Sequence, residues 1–320
     1  MKIERLFIFL CFLFAVNGCE KEEEEQSSVK KITVVFPPNS IGDKGYYDKI
    51  LQGVAMFEKQ GKENVKCEIL TSNDKPTMID HIQNWYADGI DNEEEGNTNL
   101  LVVTDPIVVD DVAFPLSSLP KGNDILLFSD EKTYSRYKGF HVVNLNEYSV
   151  SYRAGYEFAT AKNLKLPPVK IQFTELNRSF EIINEGFSDG FHAASSLDME
   201  CFYVPKTNDD LEIIENISSA VLNVVADDYQ FEKCIFVLLE EYQNVFLSCA
   251  LQRSVVFVGI DIPVKDYVSC ALSINRHYDV LMNDLLTKWY NDNNLPCYIE
   301  YGEDSKYIEY EKSPYFFEEE

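Results

Sequence analysis

Tyr46 and Tyr47 follow the apolar run ITVVFPP in a polar segment that also holds Asn39 and Asp43, and a helical pattern starts with them. Asp105 and Asp130 close two more apolar runs, VVTD and LLFSD, and Asp261 closes VVFVGID. Residues at the carboxyl ends of buried parallel strands face whatever the sheet binds. A tyrosine ring can stack on a base or sugar face while its hydroxyl donates, and a carboxylate accepts hydrogen bonds from ligand hydroxyls. A helix start adds free backbone N–H donors. The chemistry this set offers is recognition of a small polar solute. A packing role is also open to each residue: Asp43 or Ser40 can cap the helix, the tyrosines can pack a hinge, and strand-end aspartates often cap helices. Arg276 can pair with an anionic ligand group or with Asp261, and the internal salt bridge is the favoured of the two. Asn177 and Arg178, after IQFTEL, hold a weaker version of the same position.

Catalytic patterns do not assemble. Gly186-Phe187-Ser188-Asp189-Gly190 matches a nucleophile elbow in letters, but an elbow needs a buried strand directly before it. Here SFEIINE precedes it, and Ile182, Ile183, Gly186, Phe187 and Gly190 fall on one helical face. His81, His141, His192 and His277 are scattered, without metal-ligand spacing and without a nucleophile beside them. GDKG lacks the spacing of a phosphate-binding loop. With 54 acidic residues, carboxylate pairs arise by number alone and support no glycosidase. Beyond Cys11 and Cys19, the cysteines are Cys67, Cys201, Cys234, Cys249, Cys270 and Cys297, with no C-x-x-C among them; most sit in apolar runs and read as free buried thiols. The expectation is a binder rather than an enzyme, without metal or cofactor.

The elements that must position these residues come in two sets. Apolar runs at ITVVFPP, VKCEILTS, NLLVVTD, DILLFSDE and GFHVVNLN read as strands, with helical patterns after Tyr46 and from Pro76 to Gly89. A helix over 149–163 ends before Pro167 and Pro168, and the scheme restarts. PVKIQFTEL, DMECFYVP, KCIFVLLE and VVFVGIDI are the next strands, alternating with helices over 180–197, 210–225 and 241–252. CALSI then leads into the helix YDVLMNDLLTKWYND and an aromatic, acidic tail. Alternation of this kind predicts an α/β fold of two Rossmann-like lobes with parallel sheets, joined by a hinge. The predicted organisation is an N-terminal lobe over 30–147, a C-terminal lobe over 148–264, and a hinge crossing, final helix and tail over 265–320. The cleft between the lobes is the natural site.

A formal net charge of -26 repels phosphate backbones and disfavours nucleic-acid binding. The start of the chain points to a membrane instead. Lys2 and Arg5 precede an apolar run from Leu6 to Val16, too short for a permanent span, and Gly18 precedes Cys19. Val16-Asn17-Gly18-Cys19 resembles the lipobox of bacterial lipoproteins. That resemblance implies a signal peptide over 1–18 and acyl chains (palmitate class) on Cys19, each buried methylene adding about 0.8 kcal/mol of membrane affinity. The acidic run Glu20 to Glu25 (interrupted by Lys21), within a tether over 19–29, reads as a solvated spacer. It also resembles the surface-export signal of Bacteroidetes lipoproteins; one segment can do both.

Ile41-Gly42-Asp43-Lys44-Gly45-Tyr46-Tyr47, followed by Gly53, is similar to the basic-membrane-protein family of lipoproteins, which includes bacterial purine-nucleoside receptors and has the type I periplasmic-binding-protein fold. That family has a glycine-rich turn, Asp-Asp-Lys-Ser-Phe-Asn, and a glycine two helical turns on; Tyr46 and Gly53 keep this spacing. Phe187 in EGFSDGF, Gly259-Ile260-Asp261, and Ser273 with Arg276 and Asp279 are further echoes. The resemblance implies hinge closure over a small polar ligand, of nucleoside or sugar class, delivered to an ABC-type permease from the cell envelope of a Gram-negative bacterium. Pro37 stands where the nucleoside receptors carry a ligand-holding aspartate, and Tyr46 and Tyr47 replace phenylalanine and asparagine. A second expectation follows from those departures and from the export-like acidic run: a surface-exposed sensor or interaction lipoprotein on the same fold, with no transporter.

Overall fold

The computed structural model describes residues 29–38, 40–42, 45–91, 98–105, 108, 119–161, 167–207, 209–226, 234–252, 255–292 and 294–317. The leader, Cys19, the acidic tether, Asn39 and Asp43 lie outside the described residues.

The first half contains β1 (Lys30–Phe36), α1 (Tyr46–Glu58), β2 (Val65–Thr71), α2 (Lys75–Asp91), β3 (Thr98–Val103), β4 (Asn123–Phe128) and β5 (Phe140–Leu145). After α3 (Glu147–Thr160) the second half follows: β6 (Val169–Phe173), α4 (Arg178–Ala194), β7 (Cys201–Val204), α5 (Asp210–Ala226), β8 (Cys234–Leu238), α6 (Gln243–Leu251), β9 (Val256–Ile260) and β10 (Cys270–Arg276). The chain closes with α7 (Tyr278–Asp292), β11 (Tyr298–Tyr301) and β12 (Ile308–Lys312).

Two six-stranded sheets result, ordered β11-β5-β4-β3-β1-β2 and β12-β10-β9-β8-β6-β7. All described pairings are parallel except β12 on β10. The two orders are equivalent strand for strand. In each, the direction of progression reverses at the first strand, between β1 and β3 and between β6 and β8. Such a switch point opens a crevice at the strand carboxyl ends. The doubled α/β architecture expected from the sequence is therefore present.

Continuous apolar strands are the cause. Parallel sheets are covered on both faces, so a central strand must be buried on both. Ile32, Val34 and Phe36 of β1 face one core with α1 and α7, while Val35 faces another with Met78, Ile82 and Trp85 of α2. In the second sheet, Phe236, Val258 and Ile274 meet α3 and α4, and the opposite face meets α5 and α6 through residues such as Ile217, Val221 and Phe246. The cores against α1, α7, α3 and α4 form one continuous cluster through both halves.

The chain passes between the halves three times. First, α3 leaves β5 and packs on α4. Then α7 leaves β10, packs on α1, and delivers β11 to the edge of the first sheet beside β5. Finally residues 302–307 carry the chain back to β12, antiparallel to β10. β11 and β12 are absent from the sequence reading, which treats this stretch as a tail. The predicted helix over 149–163 begins instead at Glu147, with Asn146 as N-cap accepting from the Ser149 N–H at 3.0 Å.

Candidate functional site

The strand ends of the two halves converge on an aromatic and ionic cluster. Tyr46, the first residue of α1, is half-buried and donates from its hydroxyl to the Thr104 carbonyl at 3.1 Å, just beyond β3. Its ring stands edge-on to Tyr278 with centroids 4.6 Å apart, and is also near Tyr47 and Phe128. Tyr47 packs edge-on against Phe36 at the end of β1. Burial, with the neighbouring Tyr278, Tyr47, Asp105 and Glu147 charges, pushes the Tyr46 hydroxyl pKa well up. The α1 start has Gly45 as N-cap and no side-chain cap; Ser40 instead donates to the Pro37 carbonyl at 2.7 Å.

Beside the tyrosines lies Arg276, the last residue of β10 and almost wholly buried. Its Nε and Nη2 are 3.1 and 2.6 Å from Asp261 Oδ2, and its backbone N–H donates to Asp261 Oδ1 at 2.7 Å. Nη1 lies 3.3 Å from Glu147 Oε1 and 2.5 Å from Ser179 Oγ. Its guanidinium also sits 5.2 Å from the Phe180 ring centroid. Lys49 of α1 completes the set, 2.9 Å from Asp261 Oδ1. Tyr278 donates to Glu147 Oε1 at 3.2 Å.

Burial alone would discharge these groups, and the outcome differs for each. It opposes ionisation of Asp261, yet Arg276 and Lys49 outweigh it and hold that carboxyl well below the usual range. Burial dominates at Glu147 and raises its pKa, with Arg276 and Ser179 pulling the other way. Burial would lower the Arg276 pKa, but Asp261 and Glu147 overcome it and raise it. Arg276 is thus a permanent cation held by internal acids.

Asp261 carries a φ of 57°, in the left-handed region that non-glycine residues rarely adopt, and Glu240 has 45°. Such strain costs on the order of 1–3 kcal/mol and persists where the surroundings fix it. Asp261 directly follows β9, and Glu240 lies two residues past β8. Glu240 is held by Lys206 Nζ at 2.6 Å and by the Asn177 backbone N–H at 2.7 Å.

Of the sequence candidates, the structure brings Tyr46, Tyr47, Asp261 and Arg276 into this cluster. Asp105 stands just past β3, where its charge bears on Tyr46. Asp130 is exposed and pairs with Arg178 across the cleft at 3.1 Å. Asn177 caps α4, accepting from the Phe180 N–H at 3.0 Å. Lys49, Glu147, Ser179 and Tyr278 are the partners that sequence reasoning does not single out. The Ser188 of the elbow-like string lies inside α4 and donates to the Asn184 carbonyl at 2.6 Å, one turn back.

No family model and no curated protein matches this sequence. Solved structures do. Solute-binding proteins of an ABC transporter system from Aeropyrum pernix K1 match with a TM-score of 0.63 at 11% identity, over 89% of this chain and 76% of theirs. A glucose-galactose binding protein from Geobacillus stearothermophilus gives 0.58 at 10% identity, over 89% and 98%. A LacI-family transcription regulator from Clostridium acetobutylicum gives 0.59 at 14%, over 85% and 97%. The chain has the type I periplasmic-binding-protein fold. These neighbours are binding proteins and regulators, and at such identities the likeness is one of fold. The Tyr46–Arg276 cluster lies at the strand ends, beside the first turns of the crossing helices α3 and α7. Among the described residues, Lys49 pairs there with Asp261, and Arg276 with Asp261 and Glu147, while the aromatic edges provide apolar surface.

Proposed function

We propose that this chain is a lipid-anchored solute-binding protein that takes a small, uncharged polar ligand of nucleoside or sugar class between its lobes. One observation carries the reading: tyrosines meet strand-end carboxylates of both halves here, and the buried cations Arg276 and Lys49 already have carboxylate partners within the chain. A charged ligand would have to leave one of these buried groups without its partner, which is strongly unfavourable. A ligand with hydroxyls and a flat face needs only hydrogen bonds and ring contact. Tyr46 is the proposed stacking residue, with Tyr47, Asp105, Asp130, Asp261 and Arg276 as polar contacts and Asn39 and Asp43 as neighbours in the same segment. The resemblance of GDKGYY to the nucleoside receptors supports this class, and Pro37 argues against copying their ligand.

In this reading Cys19 is acylated, the acidic run spaces the domain from an envelope membrane, and a permease and ATPase receive the solute. The type I fold of ABC-system neighbours supports the uptake role. The substitution at Pro37 favours the alternative, a surface sensor or interaction lipoprotein without a transporter. A thermal-shift screen of neutral nucleosides and sugars against their charged analogues tests the ligand class. Stabilisation by a neutral solute is expected; response only to charged ones, or to none, removes the proposal. Mass spectrometry of the native N-terminus, together with protease shaving of intact cells, tests the anchor and separates uptake from surface display.

A further inference from the structure

Charged atoms of the two halves meet across the cleft with nothing between them. Lys49 Nζ, from α1, lies 2.9 Å from Asp261 Oδ1 at the end of β9 and donates to the Arg276 carbonyl at 2.6 Å. Arg178, which opens α4, places Nη2 3.1 Å from Asp130 Oδ2, beyond β4. Beneath them the Tyr46 and Tyr278 rings touch, and Phe128 completes an aromatic triangle.

A ligand closes a hinged binder only because it fits the closed form better than the open one. Here the bridging atoms that a ligand would supply come from side chains. We propose that the Lys49–Asp261 and Arg178–Asp130 pairs latch the halves shut before any ligand arrives, making the closed cleft autoinhibited. Arg276 is not part of this latch: Asp261 and Glu147, its main partners, sit at the end of β9 and at the start of α3, which packs on α4. Lys49 comes from the other half and is only partly exposed, so salt screens its pair less than it screens the open pair of Arg178.

The geometry stands whatever the ligand, and only the consequence for capture rests on the solute-binding reading. If the open form alone admits solute, apparent affinity falls in proportion to its population. Each pair shifts the closed-to-open ratio by up to about fivefold, the upper end for pairs not fully buried.

The test uses the full mature chain, unfolded and refolded to strip bound molecules. Small-angle scattering gives its compactness, and hydrogen exchange gives protection at 46–50 and 276–279. Wild type is expected to be compact and protected without ligand. Lys49→Met with Arg178→Met is expected to expand and to exchange faster in both segments. Rising salt should move wild type part of the way. Arg178→Met alone, at an exposed position, gives a folded comparison should the double variant fail to fold; it is expected to be more expanded than wild type. A ligand-free wild type already as expanded as the variants, or variants and high-salt protein as compact as wild type, overturns the latch. A compact wild type that no solute stabilises keeps the latch and removes the binding reading; an expanded wild type that a solute stabilises does the reverse.

Discussion

Gly53 and Asp279 mark the closest approach of α1 and α7: a methyl group added at Gly53 would lie 2.5 Å from the Asp279 carbonyl oxygen and 2.6 Å from Met282 Cβ. The second half repeats the device. Gly186 on α4 would bring a methyl 2.5 Å from the Tyr148 carbonyl of α3, and Gly190 meets the Tyr152 carbonyl even more closely. In both halves the helix that crosses the hinge packs backbone-close on the helix after the first strand. That contact holds α1, and with it Tyr46 and Lys49, in register with the strand ends.

Gly53→Ala is therefore expected to destabilise the protein by about 1–3 kcal/mol or more, the usual range for overpacking. Gly190→Ala should be at least as severe. Urea unfolding followed by circular dichroism checks both, with an exposed glycine as control: Gly61 has open space around its Cβ position, although its φ of 64° makes alanine strained there too. A Gly53→Ala variant as stable as wild type would contradict the close approach.

These glycines also show how the sequence can mislead and inform at once. Gly186 and Gly190 flank a serine in an enzyme-like string, yet their spacing is that of a helix face, and the face is what the fold uses. Strands such as β1 and β8 were legible because buried parallel strands are unbroken apolar runs. β11 and β12 were not: YIEY and IEYEK place acids on edge positions, and in β12 only Ile308 is buried. Asp261 and Arg276 were legible as strand-end residues. Lys49 was not, because on a helical pattern it reads as a solvated face; only the packing of the halves delivers it to Asp261. Glu147 hid in the same way in the first turn of a helix.

Tyr46 makes one hydrogen bond to the Thr104 carbonyl and aromatic contacts to its neighbours. Tyr46→Phe keeps the ring and loses the bond, leaving that carbonyl without this donor, for an expected loss of about 1 kcal/mol. Tyr46→Ala also removes ring packing and should cost more. If Tyr46 stacks on the ligand, a solute found by thermal shift will stabilise the Phe variant nearly as well as wild type and the Ala variant hardly at all. Equal stabilisation of both by that solute would remove Tyr46 from the site.

Ser188 donates within its own helix and has no strained turn beneath it. A fluorophosphonate probe is expected to leave it unlabelled, and Ser188→Ala is expected to change stability by no more than about 0.5 kcal/mol. Covalent labelling at Ser188 would reopen the hydrolase reading.

Acid should loosen the cluster through Asp261. Its folded pKa is depressed, so the stability its charge contributes is present above the ordinary aspartate value of about 3.9 and is lost as pH falls through the lower folded value. Glu147 acts in the opposite sense. Burial raises its folded pKa, so its stabilising effect belongs to the protonated form, is complete below about 4.3, and is lost as pH rises through the folded value. On acidification Glu147 takes up its proton first, leaving Arg276 to Asp261, and only stronger acid discharges the second pair. Asp261→Asn strips Arg276 and Lys49 of their shared partner and should destabilise by about 3 kcal/mol at neutral pH, the scale for breaking a buried pair. The gap between wild type and Asp261→Asn, read from urea midpoints, should stay constant from neutral pH down to mild acidity and narrow only below about pH 4. A gap that does not change with pH would mean that Asp261 titrates alike in the folded and unfolded protein and so gains nothing from Arg276 and Lys49.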